Sequence, residues 1–207
     1  MKSERIKIMI KISMRDVLMV AGLLLFTFHI SQLTANAQRR DFLTDAEIEL
    51  VRDAQEIDRR IEVLVHAADR RFDLLKIDVS KPAGKKESET WGDLPKGERI
   101  DLLFDIKRLL QKAIDDIDNI SERPDSAILP DPEIKKPKTL ADIFPVAVRN
   151  LAAAASRYKP ALQKELDSTT DQMQKGVILD SIDSCNAILE SVTKLPAEVD
   201  KKKKKNN

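Results

Sequence analysis

One cysteine, Cys185, stands in 207 residues, so no disulfide can close within the chain. Five glycines and a single tyrosine leave little material for tight β-turns and sheets. Neither sign of charge is in excess: 36 Lys and Arg against 35 Asp and Glu give a formal net charge of +1, too weak a field to imply a nucleic-acid partner. No glycine-rich phosphate loop and no Cys/His zinc spacing occurs. Nothing points to a cofactor, a small-molecule substrate or a reaction. What is present is a chain 42% hydrophobic and 34% charged, the composition of a folded, helix-rich protein with a heavily solvated surface.

The N-terminal segment reads as an address label. Lys2, Arg5, Lys7, Lys11 and Arg15 precede an apolar run from Val17 to Ile30. That run is shorter than the roughly 20 residues a membrane span needs, and it has the size of a signal-peptide core. Ala35-Asn36-Ala37 follows as a small-x-small cleavage site, so export to a periplasmic or secreted location after a cut between Ala37 and Gln38 is expected. The alternative is an uncleaved N-terminal membrane anchor. Loss of residues 1–37 would move the net charge from +1 to −2, because five basic and two acidic residues go with it.

The remainder, 38–200, carries four helical patterns. Thr44 and Glu47 have capping-box spacing, and Leu43 and Ile48 sit at staple positions. Leu50, Ala54, Ile57, Ile61, Leu64, Ala68, Phe72 and Leu75 then form one stripe, which predicts a single long helix over about 44–76. Its opposite face reads Glu49, Arg52, Glu56, Arg59, His66 and Arg70, a pattern expected to be solvated. Residues 77–97 show no period. A heptad seam of Leu103, Ile106, Leu110, Ala113, Ile117 and Ile120 predicts a second helix over 98–121, with Asp101, Asp105, Arg108, Lys112, Asp115 and Asp116 outside.

Pro124, Pro130, Pro132 and Pro137 mark residues 122–138 as an extended connector. A third helix starts near Thr139, with Asp142 as its cap partner. Pro145 is tolerable near a first turn, whereas Pro160 should kink or break the helix. The small residues of "NLAAAASRY" between them invite a close neighbour. The fourth helix begins after Thr169, ends near Lys194, and carries the stripe Ile178, Ile182, Cys185, Leu189 and Val192. The short turn before it predicts an antiparallel hairpin. Four amphipathic helices bury their stripes best against each other, so the fold expected is all-α, an antiparallel four-helix bundle with a long first helix.

Candidate sites are few. His66, with Glu62 four residues before it, lacks the second Glu-x-x-His pair of a di-iron bundle and should lie on the surface. Cys185 falls in an apolar seam and should be buried as a small hydrophobe, without a histidine to activate it. Asp115, Asp116 and Asp118 splay apart on a helix, unlike calcium ligands wrapped by an irregular loop. Trp91 sits in the long loop, either as a lid over the helices or as a recognition anchor for a partner. Lys201, Lys202, Lys203, Lys204 and Lys205 form a self-repelling run in residues 201–207, expected to be disordered. They could hold the protein loosely to an anionic envelope or membrane surface, at about 1 kcal/mol per lysine. The leading expectation is an exported, non-enzymatic protein that binds a protein partner or itself; a metal-binding or catalytic bundle is the weakest alternative.

Overall fold

The computed structural model describes residues 40–80, 89–123 and 138–195. The leader, its cleavage site, the Pro124–Pro137 connector and the lysine run lie outside the described residues. Five helices and one 3-10 turn, Glu89–Trp91, make up the regular structure there, with no strand among the described residues. In chain order the helices are α1 (Asp45–Asp53), α2 (Ile57–Leu75), α3 (Arg99–Glu122), α4 (Leu140–Ser168) and α5 (Gln172–Thr193).

The single helix expected over 44–76 is two helices. Both halves of the Thr44–Glu47 capping box are made, and α1 then stops after nine residues. Ala54 leaves helical geometry at ψ 78°, and Glu56 is extended at ψ 136°. The chain reverses there. A continuous helix would carry Glu47 about 36 Å from Arg71, at 1.5 Å per residue. Instead, Arg71 Nη2 lies 2.7 Å from Glu47 Oε2, so α1 folds back along α2. No glycine or proline causes the reversal. Arg60 Nε donates to the Ala54 carbonyl at 3.0 Å, and Gln55 Nε2 donates to the Arg52 carbonyl at 2.6 Å, which pin the turn from both sides.

The other helix ends follow local chemistry. α2 closes on Lys76 in the left-handed region, φ 58°, with the Ile77 N–H returning to the Phe72 carbonyl. Ile77 and Val79 then go into the core, so the aperiodic loop begins as packed structure. Glu98 and Asp101 cap α3, Thr139 and Asp142 cap α4, and the Asp171 carboxylate accepts from the N–H groups of Met173 and Gln174 at the start of α5.

α4 runs unbroken through Pro145 and Pro160. Of the kink or break expected at Pro160, no break occurs, for a positional reason. Each proline deprives the carbonyl four residues earlier of its donor, and those residues, Ala141 and Ser156, are exposed. Water can take the freed carbonyls.

The apolar stripes meet in one cluster. Ile61, Leu64 and Phe72 of α2 pack with Leu103, Ile106 and Leu110 of α3, Leu151, Ala155 and Tyr158 of α4, and Ile178, Ile182 and Cys185 of α5. α2 lies against α3 and α4, α5 lies against the same two helices, and α3 barely touches α4. The pairing of α4 with α5 is the most extensive; Ala152, Ala154 and Ala155 are buried along α4.

Side-chain pairs fix the directions. Lys138 reaches Asp58 while Arg157 reaches Asp69, so α2 and α4 run in the same sense. Arg99 meets Gln174 and Lys107 meets Asp180, so α3 and α5 also run in the same sense. The residues Thr169–Asp171 reverse α4 into α5. Two antiparallel hairpins, α2/α3 and α4/α5, therefore lie side by side in parallel.

Candidate functional site

α2 buries four charged residues, Asp58 in its first turn and Asp69, Arg70 and Arg71 further along. Arg71 falls seven residues after Leu64 and four before Leu75, inside the stripe itself. Asp69 lies on the flank toward α4, and Arg70 and His66 lie on the flank covered by α1 and the 3-10 turn. All three of Asp69, Arg70 and Arg71 are buried, although Arg70 belongs to the face expected to be solvated. Asp105 and Asp116 of α3 are buried too, against the same expectation. For Arg70 and Asp105 the reason is tertiary, since each faces a counter-charge on another helix; Asp116 pairs within its own helix, with Lys112 one turn before it.

Glu47 is fully buried, at 0% exposure, with Arg70 at 3% and Arg71 at 1%. Its Oε1 accepts from Arg70 Nη1 at 2.7 Å and from Arg71 Nη1 at 2.5 Å. Its Oε2 accepts from Arg71 Nη2 at 2.7 Å and from the Thr44 N–H at 2.9 Å. Four donors fill the acceptor capacity of one carboxylate. Burial works to raise the Glu47 pKa, but the Arg71 and Thr44 hydrogen bonds and the nearby positive charge outweigh it and hold the carboxyl below the ordinary value. Asp105 adds a second counter-charge, its Oδ2 standing 3.6 Å from Arg71 Nε.

The guanidinium groups also hold backbone. Arg71 Nη2 donates to the Phe42 carbonyl at 2.7 Å, tying down the segment before α1. Arg70 Nη2 donates to the carbonyls of Gly92 and Asp93 at 3.2 and 2.9 Å. One arginine thus anchors the turn carrying Trp91. The Trp91 ring packs against His66 at a tilt of 49° with centroids 4.1 Å apart, and the Arg70 guanidinium carbon lies 5.6 Å from the same ring. Gly92 has φ +59°, and a Cβ there would stand 2.8 Å from Ala46 Cβ, so the turn needs glycine to sit this close to α1. Leu94, two residues on, is 52% exposed.

A second network joins α2 to α4. Arg157 makes a two-pronged pair with Asp69, both N–O distances 2.8 Å. The Tyr158 hydroxyl donates to Asp69 Oδ1 at 2.6 Å and lies 3.0 Å from the Val65 carbonyl. Burial first, and then the Asp69 charge, push the Tyr158 phenol well above its ordinary value. Burial works to lower the Arg157 pKa, but Asp69 outweighs it and raises the group. At the start of α2 and α4, Lys138 bridges Glu56 and Asp58 at 3.2 and 3.3 Å; its hydrogen bonds to Glu56 and then Asp58 raise its pKa.

The residues singled out in the sequence fall as follows. Trp91 is half-buried against the helices, as a lid would be, and belongs to the Arg70 anchor. His66 is half-buried under Trp91, not a surface residue as expected, because the loop folds over it. Glu62 is exposed and pairs with Arg59. Cys185 is fully buried, and burial pushes its thiol up to about 12. Asp115 and Asp118 are exposed; Asp116 is buried and paired with Lys112, not on a solvated face. Lys201–Lys205 lie outside the described residues. Sequence reading missed Glu47, Arg71 and Asp69; the position of Arg71 inside the stripe is the signal that could have found it.

Among the described residues no helix is long and apolar enough to cross a membrane, and no group of three His, Cys, Asp or Glu side chains could hold a metal ion. No protein-family model matches the chain, and no curated protein or solved structure matches it.

Proposed function

We propose that this chain is an exported, non-enzymatic four-helix bundle that docks a protein partner through the turn Trp91–Leu94. The bundle is two antiparallel hairpins set in parallel, with α1 folded back along α2 and a cleaved leader before it in the sequence. The observation that carries the reading is the anchoring of the turn. Arg70 grips two successive carbonyls, Trp91 packs on His66, and Leu94 is left projecting at 52% exposure. A pre-ordered turn avoids much of the entropy cost that a mobile loop meets on binding. The buried ionic groups support the non-enzymatic part. Glu47 and Asp69 each have their oxygens occupied by donors within the fold, so their chemistry serves to fasten elements together.

A photo-crosslinking residue placed at position 94 in cells exporting the full chain tests this. A defined adduct at 94, reduced by Trp91→Ala and missing from position 179, whose native leucine is 48% exposed on α5, is expected. Equal labelling at 94 and 179, or labelling at 94 that ignores Trp91→Ala, would remove the turn from the account.

A further inference from the structure

α1 is held in place by charge, while its connection to α2 is made of residues that favour helix. Within α1 the only fully buried residue is Glu47. The hinge Ala54-Gln55-Glu56 contains neither glycine nor proline, and all three residues rank among good helix formers. The apolar stripe of α2 continues across it through Ala54 and Leu50. Local preference therefore favours one straight helix over 45–75, about 46 Å long at 1.5 Å per residue. The folded-back form holds because Glu47 reaches Arg70 and Arg71, and because Arg60 holds the Ala54 carbonyl. Straightening the hinge within one chain would leave two buried guanidinium groups without Glu47. A second copy supplies the missing carboxylate.

We propose that α1 exchanges between two copies of this chain: residues 54–56 straighten, α1 and α2 become one helix, and each Glu47 docks against the partner's Arg70 and the partner's Arg71. The contacts of Glu47 with the two arginines are remade across the pair, while the bond from Arg60 to the Ala54 carbonyl is given up. α1 lies antiparallel on α2, so the two straight helices pass each other antiparallel about a two-fold axis near residue 59, midway between Glu47 and Arg71. The geometry is isologous and closes at two copies. The exchange is independent of the Trp91–Leu94 docking reading, and either can fail alone.

Four measurements test it on the full mature chain. After refolding at high concentration, light scattering should show a dimer fraction beside the monomer. Arg60→Ala, which frees the Ala54 carbonyl, should enlarge that fraction. Glu56→Pro should shrink it at least tenfold: the φ of −75° at Glu56 suits proline, whereas a proline inside a straight helix removes a backbone donor and crowds the carbonyl four residues earlier. Spin labels at the exposed positions 49 and 73, diluted with unlabelled chain, report distance within one chain, and buried Cys185 stays unlabelled. The labels should lie close together in the monomer and roughly 36 Å apart in the isolated dimer, the span of 24 helical residues. A monomeric Arg60→Ala variant, a dimer fraction that Glu56→Pro leaves undiminished, or a dimer that keeps the short distance would each overturn the proposal.

Discussion

Replacing Glu47 with glutamine removes one charge and almost no volume. In the wild-type chain this carboxylate meets two guanidinium groups that are 3% and 1% exposed. The amide keeps one accepting oxygen, and its NH2 end presents hydrogens to groups that are themselves donors. Asp105, 3.6 Å from Arg71 Nε, is then the remaining carboxylate in contact with the pair. Leaving buried charge uncompensated costs about 3–5 kcal/mol, far more than the 0–1 kcal/mol of a surface pair. Urea unfolding of Glu47→Gln at pH 7, followed by far-UV circular dichroism, should show a loss in that range. Trp91 emission is the second readout, because Arg70 holds both Glu47 and the Trp91 turn. If α1 lets go before the core unfolds, the emission should redden at lower urea than the helix signal changes. The pH dependence has a defined sign. The donors hold Glu47 below its ordinary value of 4.5, so its stabilisation is complete above that pH and shrinks as pH falls toward the folded value, where the unfolded chain has already taken its proton. The gap between wild type and Glu47→Gln should therefore be full at pH 7 and narrow on acidification below 4.5. A variant within about 0.5 kcal/mol of wild type at pH 7, the ordinary scatter of surface substitutions, with unchanged emission, would refute the reasoning.

Three further outcomes are expected. Tyr158→Phe removes a hydrogen bond to a charged acceptor while keeping the ring packed on Phe72 and should cost about 1.5–3 kcal/mol in a denaturant midpoint analysis; no loss would mean that Arg157 alone satisfies Asp69. Cys185 should resist thiol reagents at pH 8 in the folded chain and react on unfolding, since its thiol is buried and pushed up to about 12; rapid folded-state labelling would place it at the surface. Pro160→Ala should stabilise α4 by up to about 3 kcal/mol, because the new N–H can close on the Ser156 carbonyl; destabilisation would show that the packing of α4 requires the proline.

The helices α3, α4 and α5 were legible because their ends are written locally. Thr139 with Asp142 starts α4, and the seams through Leu103 to Ile117 and Ile178 to Cys185 point at the core they bury. The reversal at Ala54–Glu56 was not legible, because its cause lies 23 and 24 residues away in Arg70 and Arg71. The stripe through Ala54 and Ile57 passes over the break without a change of period. The burial of Arg70, Asp105 and Asp116 was hidden for a related reason: charged residues at outward phases usually meet water, and only the neighbouring elements show otherwise. Arg71 is different. It sits within the apolar phase of α2, and a charge there predicts a buried partner. The parallel sense of the two hairpins was also out of reach, since it is fixed by pairs such as Lys107 with Asp180 that join distant segments.

The central claim is that one buried carboxylate and two arginines fasten α1 and the Trp91 turn to α2 as a unit. Amide hydrogen exchange across the chain measures this most directly. Segments 42–53 and 89–93 should exchange together, faster than α4 and α5, and Glu47→Gln should raise exchange in both segments at once. Exchange in the turn that stays at the wild-type rate while α1 opens would contradict the account.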